Sequence, residues 1–247
     1  MMLQLLLRRP GTVLRRHFSA VSGVAQLLQK ADAVCFDFDS TLITEEGIDV
    51  LAEHCGKGAA VAEWTRKAMG GGVPFEDALA ARLDLIRPST ADVRECLAKH
   101  APVATPSVVA LCELLRARGQ ATYVISGGLR SMIEPMAVTE LGFPLANIYA
   151  NTLFWDASGN YTGFDAGEPT SRDGGKAAVV AALKKKFGYE TVIMIGDGAT
   201  DLQAKPPADA VIGYGGVVER EAVRAGADWF VLDFATLLDA LREEEKA

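Results

Sequence analysis

The chain of 247 residues is 49% hydrophobic and carries a formal net charge of −7. That length and apolar share support a sizeable core and leave little room for disorder, while the acidic balance argues against nucleic acid as the main partner, which would need clustered Lys and Arg. The four cysteines, Cys35, Cys55, Cys96 and Cys112, show no CxxC spacing and no partnering histidines, which argues against a zinc site and a disulfide framework and points to a reducing compartment.

Residues 1–30 differ in composition from the rest of the chain. They hold Arg8, Arg9, Arg15, Arg16 and Lys30, no acid before Asp32, and an apolar side from Leu3 and Leu5 to Leu7. This composition resembles a cleavable transit peptide for a mitochondrion or plastid, and Arg16-His17-Phe18-Ser19 resembles a mitochondrial processing site cut after Phe18. A basic tail on a cytoplasmic protein is the alternative. Met1 to Leu7 is too short to span a bilayer and nothing later is long and apolar enough, so no membrane partner is expected.

Gln26 to Lys30 reads as the end of a leading helix, and the apolar run Ala33-Val34-Cys35-Phe36 as a buried strand. From Glu46 to His100 the pattern is helical, broken at Gly56-Lys57-Gly58, at Gly70-Gly71-Gly72-Val73-Pro74 and at Arg87-Pro88-Ser89. Ser89 with Asp92 marks a helix start, and Pro102 and Pro106 end the block. Alternation then begins: a helix over Ser107–Arg118, a strand over Ala121–Ile125, and a helix over Leu129–Leu141 that Pro135 should kink or interrupt. Leu153–Trp155 and Tyr161–Phe164 flank Ser158-Gly159-Asn160 as a hairpin. A helix over Gly175–Phe187 precedes strands at Thr191–Ile195, Asp209–Ile212 and Trp229–Leu232, with a helix near Glu219–Ala225. Strands alternating with helices predict an α/β fold, a doubly wound, mostly parallel sheet with a small inserted all-helical cap. The expected division is a leader at 1–30, a catalytic core of 31–44 and 106–247, and a cap of 45–105.

In open α/β sheets, ligands sit outside the carboxyl ends of the strands. Four apolar runs end there in polar residues: Asp37-Phe38-Asp39-Ser40-Thr41, Ser126-Gly127-Gly128, Gly196-Asp197-Gly198-Ala199-Thr200-Asp201 and Gly213-Tyr214-Gly215-Gly216. A lone DxD usually marks a solvated loop; four such strand ends in order are hard to assign to loop composition. Asp37 and Asp39 can leave the chain on one side, and Asp197 can join them. Their mutual repulsion invites a divalent cation, and hard oxygen donors suit Mg²⁺. The three histidines, His17, His54 and His100, fit no catalytic pattern, and Ser126 is not in a GxSxG elbow. Lys184, Lys185 and Lys186 read as a solvated face, and the tryptophans as packing.

These segments resemble the four motifs of the haloacid dehalogenase-like phosphatases: DxDxT at Asp37 to Thr41, then Ser126, Lys176, and Gly196 to Asp201. The likeness runs from about Ala31 to Leu241. Within that superfamily, Asp37 to Gly47, Val124 to Arg130 and Ile193 to Asp201, with Met69-Gly70-Gly71, Pro74-Phe75 and Arg82-Leu83, resemble the phosphoserine phosphatase family.

The resemblance implies hydrolysis of the small phosphomonoester O-phospho-L-serine, in serine biosynthesis, through an aspartyl phosphate. It implies Asp37 as nucleophile and Asp39 as general acid, then base, with Lys176 neutralising phosphate charge. Ser126, Gly127, Gly128 and Thr200 are implied as substrate contacts, as are Glu46 for the ammonium, Arg82 for the carboxylate, and Met69 and Gly70 lining the pocket. Mg²⁺ would be held by Asp37, the Asp39 carbonyl and Asp197, with Asp201 supporting its water shell. A homodimer is compatible with this reading. The alternatives are a relative acting on another small phosphate or transferring it to an alcohol, and a non-catalytic binding protein, which intact Asp37, Asp39, Lys176 and Asp197 disfavour.

Overall fold

The computed structural model describes residues 23–69 and 73–243. The cleavage expected after Phe18, Gly70 and the Met69 side chain lie outside the described residues. Residues 23–30, which composition assigns to the leader, form helix α1. Val24 and Leu28 of this helix are buried in the main core, and Gln29 Nε2 donates to the Ala240 carbonyl at 2.7 Å. Burying a leucine such as Leu28 is worth about 1.5–3 kcal/mol. A leader that leaves this core intact therefore ends before residue 23.

Strand β1 (Ala33–Phe36) is buried on both faces, as its unbroken apolar run requires. Val34 and Phe36 enter one core cluster, and Ala33 and Cys35 enter the other, following strand alternation. Four helices then intervene: α2 (Gly47–His54), α3 (Gly58–Met69), α4 (Phe75–Ile86) and α5 (Thr90–Lys99). A capping box between Ser89 and Asp92 opens α5. Leu51, Leu79, Leu83 and Cys96 of these helices share one apolar cluster with Leu129, Met132, Leu153 and Tyr161, so the insert and the later hairpin are packed as one unit.

After α6 (Val108–Ala117) comes β2 (Ala121–Leu129), which runs through Ser126-Gly127-Gly128 and so continues past the expected end at Ile125. Helix α7 (Arg130–Thr139) contains Pro135 without interruption. Next come β3 (Ile148–Asn151), the antiparallel pair β4 (Leu153–Trp155) and β5 (Tyr161–Phe164), α8 (Gly175–Phe187) and β6 (Val192–Gly196). Then α9 (Ala199–Leu202), β7 (Ala210–Tyr214), α10 (Glu221–Gly226), β8 (Trp229–Val231) and α11 (Ala235–Glu243) complete the order.

The main sheet is parallel, in the order β3-β2-β1-β6-β7-β8. The order reverses between β1 and β6, and a crevice at such a switch point is where doubly wound folds bind ligands. Asp37 follows β1 directly and Asp197 follows β6, which places both at that crevice.

Candidate active site

Lys176, on the first turn of α8, lies 2.6 Å from Asp37 Oδ2 and 2.6 Å from Asp201 Oδ1. Its side chain is 6% exposed, so it is a buried bridge and not a solvated surface lysine. Burial works against its charge, but Asp201 and Asp37 outweigh it and hold the ammonium above its ordinary range. Asp37 Oδ1 accepts the Phe38 amide at 2.7 Å. Thr41 donates to Asp197 Oδ1 at 3.1 Å and so links the first and fourth motif segments.

Asp39 faces β2. Its Oδ1 accepts the Gly47 amide at 2.9 Å, and a Cβ on Gly128 would fall 2.6 Å from its Oδ2, so that position has no room for a side chain. Burial raises the Asp39 carboxyl well above its usual range, and neighbouring Glu46 and Asp37 add to this. Ser126 is 1% exposed, and its Oγ accepts the Gly128 amide at 3.0 Å. Ser40 holds a left-handed φ of 52°, a conformation that costs a non-glycine residue about 1–3 kcal/mol. Its amide donates to the Glu45 carbonyl at 3.0 Å and its hydroxyl to Glu46 Oε1 at 2.7 Å. The turn that strains Ser40 thus aims Glu46 back toward the nucleophile.

Arg82, on α4, is 8% exposed, and its Nε donates to the Ala78 carbonyl at 3.2 Å. Burial lowers its guanidinium from the usual range, against the pull of the anions that face it, Asp49, Glu46 and Asp39. The buried guanidinium thus lies in the field of two carboxylates of the insert, Asp49 and Glu46, and of Asp39 at the sheet edge. Thr200 stands half-buried in the first turn of α9, next to the last residue of the fourth motif.

Two contributors carry no local signal in the sequence. Arg220, in the loop before α10, presses its guanidinium against the Asp197 carboxylate, donates to the Asp197 carbonyl at 3.0 Å and lies 3.7 Å from Glu46 Oε1. Between Glu219 and Glu221 it reads as an ordinary surface arginine. Asn151, fully buried on β3, donates to the Gly127 carbonyl at 2.7 Å and accepts from Thr170 at 3.0 Å, pinning the glycine turn.

A metal's fit can be tested on the donor set. Asp37, Asp197 and Asp201 each offer an oxygen, all within 4.8 Å of one another. No histidine or thiolate joins them among the described residues. Converging hard donors of this kind fit a divalent cation of the Mg²⁺ type better than zinc.

Sheet order, switch point and carboxylate cluster define a doubly wound α/β protein with an acidic site at its switch point. The chain belongs to the haloacid dehalogenase-like hydrolase family, whose model matches residues 34–204. It is 50% identical over 222 residues to a Rattus norvegicus protein named phosphoserine phosphatase, covering 90% of this chain and 98% of the relative. It is 53% identical over 220 residues to the phosphoserine phosphatase of Arabidopsis thaliana named as chloroplastic, covering 88% and 74%. Among solved structures, one described as a phospho-aspartyl intermediate analogue of phosphoserine phosphatase superimposes with a TM-score of 0.73 at 25% identity, covering 84% of this chain and 97% of that one.

Proposed function

We propose that the chain hydrolyses O-phospho-L-serine to serine and phosphate through an aspartyl phosphate on Asp37. The observation that carries this reading is the polarity of the groups around the nucleophile. Selecting phosphoserine from other phosphates needs an anion for its ammonium and a cation for its carboxylate. Glu46, held by Ser40, is the anion, and buried Arg82 is the cation. A guanidinium can take a carboxylate with two parallel hydrogen bonds.

In this mechanism Asp37 attacks phosphorus as Lys176 neutralises the phosphoryl oxygens. Ser126 and the Gly127 and Gly128 amides bind those oxygens, with Thr200 at the same edge. Asp39 protonates the departing serine oxygen and then takes a proton from the water that cleaves the aspartyl phosphate. By the family resemblance, Met69 and Gly70 are assigned to the serine part of the substrate. Asp37, Asp197 and the Asp39 carbonyl, with Asp201 in support, would hold Mg²⁺, which would supply charge neutralisation for two anions that must meet. Residues 45–105 act as the cap over a catalytic core of 31–44 and 106–247.

Phosphate release tests this reading. Phosphoserine should be turned over faster than phosphothreonine, phosphoethanolamine or sugar phosphates, excess EDTA should stop turnover, and Mg²⁺ should restore it. Undiminished turnover in EDTA would refute the metal assignment. Arg82→Ala and Glu46→Ala should each lower kcat/KM for phosphoserine by roughly 10²-fold, the cost of leaving a buried charge unpaired. Activity on para-nitrophenyl phosphate, which offers neither group, should fall much less; equal losses on both would remove the basis of the substrate assignment.

The arginine-rich start is proposed as an organellar leader ending before α1. A fluorescent protein fused after residue 22 should enter mitochondria, or plastids in a photosynthetic cell. A diffuse cytosolic signal would make it a tail.

A further inference from the structure

Helix α4 carries Arg82, yet its N-cap residue does not cap it. Its N-cap is Pro74, which has no side-chain oxygen and makes no cap hydrogen bond. The first amides of a helix have no partner inside it, and a neighbouring side-chain oxygen normally accepts from one of them. Here the acceptor comes from a distant segment: Asp173 Oδ2 accepts the Phe75 amide at 3.4 Å. The contact is returned, because Glu76 Oε2 accepts the Asp173 amide at 3.2 Å. Reciprocal side-chain-to-amide bonds are the logic of a capping box, here split between two parts of the chain 97 and 98 residues apart. The Asp173 carboxylate also sits at the positive end of the α4 dipole. On the other side, its own amide and that of Asp173 hold the Glu76 carboxyl below its usual range, and Arg172 adds a favourable charge.

This contact lies between two parts of the site. Lys176, on Asp37 and Asp201, is three residues beyond Asp173. The connecting loop has little freedom, since a Cβ on Gly175 would fall 1.9 Å from the Pro169 carbonyl oxygen. Phe75 lays its ring on the glycine turn of β2: a Cβ on Gly127 would fall 2.6 Å from Phe75 Cζ. Arg82 comes on the same helix about two turns later.

We propose that Glu76 and Asp173 are positioning residues for the reaction, a split capping box that docks the start of α4 on the Lys176 loop and so sets Arg82 for the carboxylate of the substrate. They touch no reacting atom. The inference rests on the phosphatase reading above.

Kinetics and amide exchange test it together. Asp173→Ala should raise KM for phosphoserine about five-fold, the size of a lost helix cap, with kcat nearly unchanged. KM for para-nitrophenyl phosphate, which does not use Arg82, should hold. In hydrogen exchange of the ligand-free protein, the Phe75 to Asp77 amides should lose protection in Asp173→Ala, and the Asp173 amide in Glu76→Ala. Asp173→Asn, which keeps an acceptor, should restore both readouts. The double alanine variant should lose little more than either single one, because both break the same contact. Unchanged KM and unchanged protection in the single variants would overturn the proposal, as would a fall in kcat at constant KM. If Asp173→Ala loosens the whole sheet, Asp173→Asn and Glu76→Gln decide: retained protection at Phe75 and Asp173 supports the proposal, and its loss refutes it. A wild-type protein inactive on phosphoserine would fail the function reading alone, and the exchange data would still report the contact.

Discussion

Asp37→Asn is expected to yield a folded protein whose phosphoserine turnover falls on the order of 10⁴- to 10⁶-fold, the range for loss of a covalent nucleophile. Asparagine is nearly isosteric with aspartate, and its amide oxygen can still accept the Phe38 amide that Asp37 Oδ1 accepts. Lys176 loses one anion but keeps Asp201 at 2.6 Å, so the buried ammonium is not stranded. The change therefore removes attack on phosphorus more than it removes structure. Two measurements separate these effects. Thermal unfolding should show a cooperative transition close to that of the wild type. Acid quenching after mixing with phosphoserine labelled in its phosphate should trap label on the wild-type protein and none on the variant. Label retained by Asp37→Asn, or near-normal turnover, would place the covalent step on another residue.

The parts of the molecule legible in the sequence are those whose signals are local. The unbroken apolar run Ala33–Phe36 marks a strand buried on both faces, and the structure places β1 at those residues. The hairpin around Ser158-Gly159-Asn160 is announced by its turn residues; Gly159 takes a φ of 82°, and the Asp156 carboxylate accepts the Ser158 and Asn160 amides. Strand β3 is a four-residue edge strand in which Tyr149 is only half-buried, so Ile148–Asn151 gives no clear two-residue alternation. Its consequence for the site, Asn151 pinning Gly127, is therefore equally hidden. Helix α11, which buries Leu237, Leu238 and Leu241, is also hard to read, because its apolar stripe is short and gives way to Glu243, Glu244 and Glu245. Pro135 reads as a break and is not one. It is the sixth of the ten residues of α7, so the helix forfeits one backbone bond, to the Ser131 carbonyl, and the burial of Met132, Ile133 and Met136 in the core holds it through the proline. Arg220 and the pairing of Glu76 with Asp173 depend on contacts between distant segments, and such contacts leave no spacing to read.

Asp39→Asn should separate the two halves of the reaction. On phosphoserine, turnover should fall roughly 10²- to 10⁴-fold, the contribution of a general acid–base group. The cause is specific: a serine alkoxide leaves poorly without a proton, and burial beside Glu46 and Asp37 favours a protonated Asp39 carboxyl that can supply it. Asparagine can keep the bond that Asp39 Oδ1 accepts from the Gly47 amide, so the turn into α2 should persist while proton exchange is lost. With para-nitrophenyl phosphate the leaving group departs as a stable anion, so formation of the aspartyl phosphate on Asp37 should survive the substitution. Cleavage of that intermediate still needs Asp39 to take a proton from water. Stopped-flow absorbance should therefore show a rapid release of nitrophenolate stoichiometric with enzyme, followed by slow turnover. Acid quenching during the slow phase should find phosphate bound to the protein. If both substrates lose equally with no initial release, Asp39 acts in binding or folding and not as the acid and base. If neither loses activity, another group carries the proton.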